Sequence, residues 1–136
     1  MHYKKTDKVF DSAKKCKKYV VKWTKRIDKY LKNSNMAGCG KHYALAAWNN
    51  NIDPRWAPAI SCVESGKGAA YVSGTYNAWG WGGGYIVLGS CWKNSIYNYV
   101  AQLKSGYGSS LTQRAANKYC EGGSWYSLCA AEISKI

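Results

Sequence analysis

Acidic side chains are scarce in this sequence: seven Asp and Glu stand against 20 Lys and Arg. Between Glu64 and Glu121 there is none. That gap excludes a cation site built from carboxylates anywhere along the stretch. Histidine is nearly as rare, with only His2 and His42. The six cysteines (Cys16, Cys39, Cys62, Cys91, Cys120 and Cys129) come no closer than nine positions, so the close ligand pairs of a zinc site are missing. Long apolar runs are also lacking. The longest, Tyr43–Trp48 and Tyr85–Leu88, fall far short of the about 20 residues of a membrane span. The N-terminus is rich in lysine but has no apolar middle of the kind that marks a secretory signal. Export by another route, or a place within a longer protein, is therefore expected.

What is present is positive charge, unevenly spread. Residues 1–34 hold 12 Lys/Arg and three Asp, whereas residues 35–136 hold eight Lys/Arg and four acids. The first segment reads as a basic amphipathic arm that seeks anions, and the second as a mildly basic body. In the arm, Val9, Ala13, Cys16, Val20, Trp23, Ile27 and Tyr30 recur at steps of four and three, which predicts one helix over 7–32 with a single apolar stripe. The plain partner for that stripe is the body of the same domain. Asn33-Ser34-Asn35 ends the helix and marks the boundary between 1–34 and 35–136.

Further helices are expected at 40–51, from Asp53-Pro54 to Glu64, at 92–104, at 111–119 and at 124–134. Asp53 is a candidate cap, and Pro58 threatens to delay regular helix to its own position. In the last helix Trp125, Leu128, Cys129 and Ile133 should face inward. Residues 65–91 hold eight glycines and three tyrosines and read as loop, with at most a short hairpin. The fold class is mainly α with an irregular Gly- and aromatic-rich insertion after the Glu64 helix. An even number of cysteines without metal spacing favours disulfides and an oxidising compartment, with Cys120–Cys129 the natural local pair across Gly122-Gly123.

Phosphate loops are excluded. Gly38-Cys39-Gly40-Lys41 lacks the flanking glycine and hydroxyl residue, and Gly82-Gly83-Gly84 has no strand–turn–helix frame. A Cys–His nucleophile has no partner except His2 or His42. What remains is Glu64, a single carboxylate where a helix opens into an aromatic loop. Such surroundings keep a carboxylic acid protonated near neutral pH, ready to donate. Nineteen of the 20 aromatic residues are Tyr or Trp. Tyr71, Tyr76, Trp79, Trp81 and Tyr85 all fall in the glycine-rich loop, where flat rings with polar rims suit sugar faces or nucleobases.

Val63-Glu64-Ser65-Gly66, Tyr76-Asn77-Ala78-Trp79-Gly80-Trp81-Gly82, the run from Ser90 to Leu103 and Ser105-Gly106-Tyr107-Gly108 follow one another in that order. Together they resemble the bacterial endo-β-N-acetylglucosaminidase branch of the lysozyme-like superfamily (the mannosyl-glycoprotein endo-β-N-acetylglucosaminidase type, as in autolysins and flagellar hydrolases). The match spans roughly residues 37–120, leaving the lysine-rich arm with Cys16, and also Cys129, outside. The resemblance implies a lysozyme-like helical domain with Glu64 as general acid. It implies that Asn77 and Gly80 shape the cleft, that Trp79 and Trp81 act as sugar platforms with Tyr76 beside them, and that Tyr107 or Tyr119 is the tyrosine near the scissile bond. It implies an extracellular or wall-associated protein acting on peptidoglycan strands, with no metal or other cofactor.

One departure stands out. Relatives often carry a second acid in the loop, and this chain has none from 65 to 120. Asp53 begins the same helix, at roughly 16 Å from Glu64 by helical rise. A carboxylate pair needs about 5–9.5 Å. Two mechanisms remain: attack by the substrate's own N-acetyl group, or a water held by Tyr and Asn. Anionic wall polymers would suit the basic arm. A glycan-binding module without activity and a nucleic-acid binder using the lysine-rich helix are the competing readings, the latter ranked last because the charge is spread over several faces.

Overall fold

The computed structural model describes residues 2–136, with side chains described from Asp11 onward. The expected first-helix stripe therefore begins, for its side chains, after Val9. The described residues form six helices: α1 (His2–Leu31), α2 (Gly40–Asn50), α3 (Trp56–Ser65), α4 (Trp92–Tyr107), α5 (Gln113–Tyr119) and α6 (Trp125–Ile133). A 3-10 turn, Trp81–Gly84, lies in the loop between α3 and α4, and the described residues contain no strand. The fold is mainly α, as the periodicity predicts, and the loop does not form the short hairpin.

α1 packs on α2, α2 on α4, and α6 on both α3 and α5. The stripe on α1 tightens toward its C-terminus: Ala13 is exposed, Cys16 and Val20 are half-buried, and Ile27 and Leu31 are inaccessible. Ile27, Tyr30 and Leu31 belong to the same apolar cluster as α2, α3 and α4, so the packing runs continuously through the position 34 boundary. Three polar ties hold this end. Asp28 Oδ1 accepts from Gly40 N at 2.7 Å, setting a carboxylate at the positive end of α2. The Lys67 ammonium donates to Tyr30 O at 2.8 Å, capping the last turn of α1, and Arg26 Nε donates to Ile136 O at 2.8 Å. Gly40 is required at its position: a Cβ there would stand 2.5 Å from Asp28 Oδ1 and 2.6 Å from Thr24 O.

α3 is the interior helix. Trp56, Ala57, Pro58, Ala59, Ile60 and Ser61 are all buried in sequence, so every face of its first turns meets protein. It starts at Trp56, earlier than Pro58 was expected to allow. Proline at the third helical position removes only an N–H that has no intrahelical acceptor anyway. Asp53 does not cap the helix. Its carboxylate is taken by Arg55, whose backbone N, Nε and Nη2 all donate to it at 2.9–3.0 Å. On α6, Trp125 and Cys129 are buried but Leu128, expected to face inward, is about half exposed. No helix among the described residues is long and apolar enough to cross a membrane. All six cysteines are unpaired.

Substitution separates the two halves of α1. Ile27→Ala is expected to cost ~2–5 kcal/mol in chemical denaturation, as for any fully buried large-to-small change. Val21→Ala, on the exposed face, should stay within ~0.5 kcal/mol.

Candidate active site

Glu64 occupies the penultimate position of α3, where the apolar interior helix reaches the surface of the core. Its carboxyl is half-buried and makes no ion pair among the described residues. Its pKa is raised above 4.5, and burial is the cause; no neighbouring acid or cation contributes. Its place at the negative end of a helix works in the same direction.

The loop is brought to Glu64 by two polar side chains. Ser65, buried, donates from its hydroxyl to Ala78 O at 2.7 Å and accepts from Gly68 N at 3.0 Å. Asn77, 2 % exposed, fills the centre of the turn. Its amide donates to Trp81 O (2.8 Å) and Ile86 O (3.1 Å), and its carbonyl accepts from Trp79 N (3.3 Å) and Trp81 N (3.1 Å). A turn pinned from inside in this way presses Gly80 against the acid. Gly80 adopts a left-handed conformation (φ +63°), and a Cβ on it would stand 2.8 Å from Glu64 Oε1. Both the backbone and the close approach need glycine. Asn77 and Gly80 thus shape the surroundings of Glu64, Asn77 through the backbone and Gly80 by direct approach.

The two loop tryptophans separate. Trp79 is inaccessible, stacked on Tyr99 at 4.3 Å between ring centres, with Nε1 donating to Ala57 O at 3.1 Å. It is a core residue and cannot serve as a sugar platform, which corrects the expectation for it. Trp81 is half-buried, and its Nε1 donates to Gln102 Oε1 at 2.8 Å. Its ring lies 5.7 Å from Tyr107 and 5.8 Å from Tyr119. Tyr76 joins a different cluster, with Tyr71 at 6.0 Å and Trp92 at 5.1 Å, and makes no ring contact with Trp81.

Tyr107 and Tyr119, alike in the sequence, differ in their hydroxyls. Tyr119 donates to Trp79 O at 2.6 Å and lies 2.9 Å from the Tyr99 hydroxyl. Since its one hydrogen goes to the carbonyl, Tyr99 is the donor between the two. Burial first of all lifts the Tyr119 pKa well above the ordinary tyrosine value, the Tyr99 bond opposes this, and nearby Glu64 adds to it. Tyr119 is therefore a pin, stacked on Trp125 at 4.5 Å and closing the wall behind the loop. Tyr107, half-buried, has no hydroxyl partner among the described residues and is the tyrosine left able to meet a ligand.

Asp28, Asp53 and Glu132 are engaged elsewhere. Asp53 is held by Arg55. Glu132 accepts from Tyr30 Oη at 2.7 Å and from Lys135 Nζ at 2.6 Å. Burial works to raise its pKa, but those two bonds, with Cys62, outweigh burial and hold it below the ordinary value. Glu121 is exposed. The described residues hold no group of three or more His, Cys, Asp or Glu placed to share a metal ion. The arrangement sets one half-buried carboxyl against a glycine turn, and a carboxyl with a raised pKa is a group that can donate a proton. The residues missed in the sequence are Ser65, Gln102 and Tyr99; a serine directly after the acid at a Gly-flanked helix end is the one local signal of the three. The chain matches no protein-family profile, no curated protein and no solved structure.

Removing the pin should undo the turn. Asn77→Ala leaves two N–H groups and two carbonyls without their partner, and is expected to cost ~2–4 kcal/mol in urea unfolding. Gly80→Ala should cost ~1–2 kcal/mol from the left-handed backbone alone, and should displace the Glu64 carboxylate in a crystal structure of the variant.

Proposed function

We propose that the chain is a glycoside hydrolase of the lysozyme-like kind, cleaving a β-1,4 bond between N-acetylhexosamines of peptidoglycan. The observation that carries this reading is the state of Glu64: half-buried, without a cation among the described residues, raised in pKa by burial, and set against Gly80, whose neighbour Trp81 packs on Tyr107. A carboxyl so held binds its proton more tightly than an exposed one and can pass it to a glycosidic oxygen as the bond to the leaving sugar breaks. Trp81 supplies a ring for the sugar face, and the free Tyr107 hydroxyl supplies a polar rim. The lack of a second acid near Glu64 favours two routes. In one, the 2-acetamido oxygen of the substrate attacks the anomeric carbon. In the other, a water steered by the Tyr107 hydroxyl attacks it. In both, Glu64 gives its proton to the departing oxygen and is the one essential carboxylate.

The basic outer face of α1 suits an anionic wall. Lys14, Lys17, Lys18, Lys22 and Lys25 are exposed along the helix, so encounter with acidic wall polymers gains from long-range attraction that salt weakens. An extracellular or wall-associated site of action follows from the substrate.

Glu64→Gln is expected to lower the release of reducing ends from purified walls by ~100-fold or more. Equal clearing by the wild type and the variant would overturn the assignment. Wild-type activity should fall on the alkaline side as Glu64 loses its proton, with a midpoint above the ordinary carboxylate range. The same shift has a stability consequence. The folded state holds the Glu64 proton more tightly than the unfolded chain, so the protein loses stability as pH rises from the unfolded pKa through the folded one. Glu64→Gln should therefore melt higher than the wild type at pH 8 and equally at pH 3. Tyr107→Phe should lower turnover while leaving the melting temperature unchanged, and Tyr119→Phe should lower the melting temperature.

A further inference from the structure

Tyr85, Ile86 and Val87 stand in consecutive positions at the tip of the loop between α3 and α4, and they are 76 %, 44 % and 65 % exposed. Val72, 40 % exposed, lies at the base of the tip. Thr75 joins the two segments: its N donates to Val72 O at 3.1 Å, and its O accepts from Leu88 N at 2.9 Å. Apolar side chains scattered singly over a surface are ordinary, but four gathered on one loop mark a place of contact.

The tip is held from two sides. From inside, Asn77 Nδ2 donates to Trp81 O and to Ile86 O. From α4, a relay of amides ties both ends of the tip: Trp81 Nε1 donates to Gln102 Oε1 at 2.8 Å, Gln102 Nε2 to Asn98 Oδ1 at 2.7 Å, and Asn98 Nδ2 to Leu88 O at 3.0 Å. An indole N–H can only donate, so it sets which way Gln102 faces, and Gln102 sets Asn98. Ile86 folds over Gly82, where a Cβ would clash with Ile86 Cδ1. Tyr85 and Val87 are left facing outward. Because Trp81 O, Ile86 O and Leu88 O already have donors, these carbonyls lose nothing when the tip leaves water.

The charge around the tip has one sign. Residues 65–120 hold Lys67, Lys93, Lys104, Arg114 and Lys118 and no acid. Lys93 is exposed in the first turn of α4, and Gly89 packs on that turn: a Cβ on Gly89 would stand 2.9 Å from Ser95 N and 3.2 Å from Asn94 Cβ. The chain as a whole carries +13. We propose that the Tyr85–Val87 tip is an anchor that enters the head-group layer of an anionic lipid bilayer. Val87 and the exposed edge of Ile86 pass below the phosphates, the Tyr85 ring lies at their level with its hydroxyl toward water, and Lys93 and the other cations meet the lipid charge. The attachment is interfacial, with no span. A protein partner fits less well, since four side chains fall far short of the about 20–30 residues that each side brings to a stable interface. An anionic polymer would satisfy the cations but gives Val87 no apolar phase to enter. This contact is independent of the chemistry at Glu64.

The test is cosedimentation of the whole chain with vesicles of equal parts phosphatidylglycerol and phosphatidylcholine. Tyr85→Ser combined with Val87→Ser is expected to weaken partition about 10-fold or more, with an unchanged melting temperature because both side chains are exposed. Vesicles of phosphatidylcholine alone should bind the wild type about 10-fold less tightly. In anionic bicelles, a doxyl-labelled lipid should broaden the Val87 methyl signals more than those of Val21, which is 64 % exposed on α1. Partition that survives the double substitution, or broadening of Val21 in place of Val87, overturns the anchor and assigns lipid binding to the lysines of α1. Self-association that the double substitution abolishes, without vesicle binding, overturns it in favour of a second copy of the chain. Glu64→Gln should bind vesicles as the wild type does, and the double variant should clear purified walls as the wild type does. Loss of clearing by the double variant overturns the separation of the anchor from the active site.

Discussion

The site depends on one docking event between a loop and a helix end. The Ser65 hydroxyl reaches Ala78 O, and the buried Asn77 amide holds four backbone groups of the turn that follows. These bonds lie in the protein interior, where a polar group left unpaired is costly, so the loop has little freedom to settle elsewhere. A glycine-rich segment gains from such a constraint because its backbone loses more entropy on ordering than any other. The result is a Glu64 environment fixed by neighbours within the turn, with Asn77 joining the two sides of the glycine-rich tip at Gly82–Gly84 through Trp81 O and Ile86 O.

The helices were legible because their apolar positions repeat. The four-and-three steps from Cys16 to Tyr30 correctly mark the face of α1 that turns inward, and the apolar positions of α4, Ile96, Val100 and Leu103, are all buried. Local signals were less dependable. Asp53-Pro54 has the form of a helix start, but the aspartate is taken by its own neighbour Arg55, and the helix begins two residues later. Leu128 follows the helical spacing of α6 and still faces solvent, because periodicity names a face and not what covers it. The loop had no period to read. Trp79 and Trp81, two residues apart, are told apart by Ala57 O and flat stacking on Tyr99 on one side and by Gln102 on the other, all 20 or more positions away. Tyr107 and Tyr119 were likewise inseparable until their hydroxyl partners were known.

Glu64 and Glu132 form an instructive contrast. Both are partly buried carboxylates of the same type. Glu132 receives hydrogen bonds from Lys135 and Tyr30 and is stabilised as an anion, while Glu64 receives no comparable support and is stabilised as an acid. Surroundings, not residue type, separate a structural carboxylate from one suited to chemistry. Cys129 lies within the influence of both. Burial chiefly, with smaller contributions from the two glutamates, pushes its thiol up to about 12, so it remains an uncharged packing residue between them.

The rings around the site also have a spectroscopic consequence. Trp79 stacks on Tyr99 with planes 8° apart, and Tyr119 on Trp125 with planes 15° apart, in surroundings that fix their orientation. Rigid, coupled chromophores of this sort dominate near-ultraviolet circular dichroism, which vanishes when side-chain packing loosens even if helices persist. Because Trp79 and Tyr119 are joined through the same carbonyl that precedes Gly80, the aromatic optical activity of this protein reports on the cradle of its acid more than on the molecule at large.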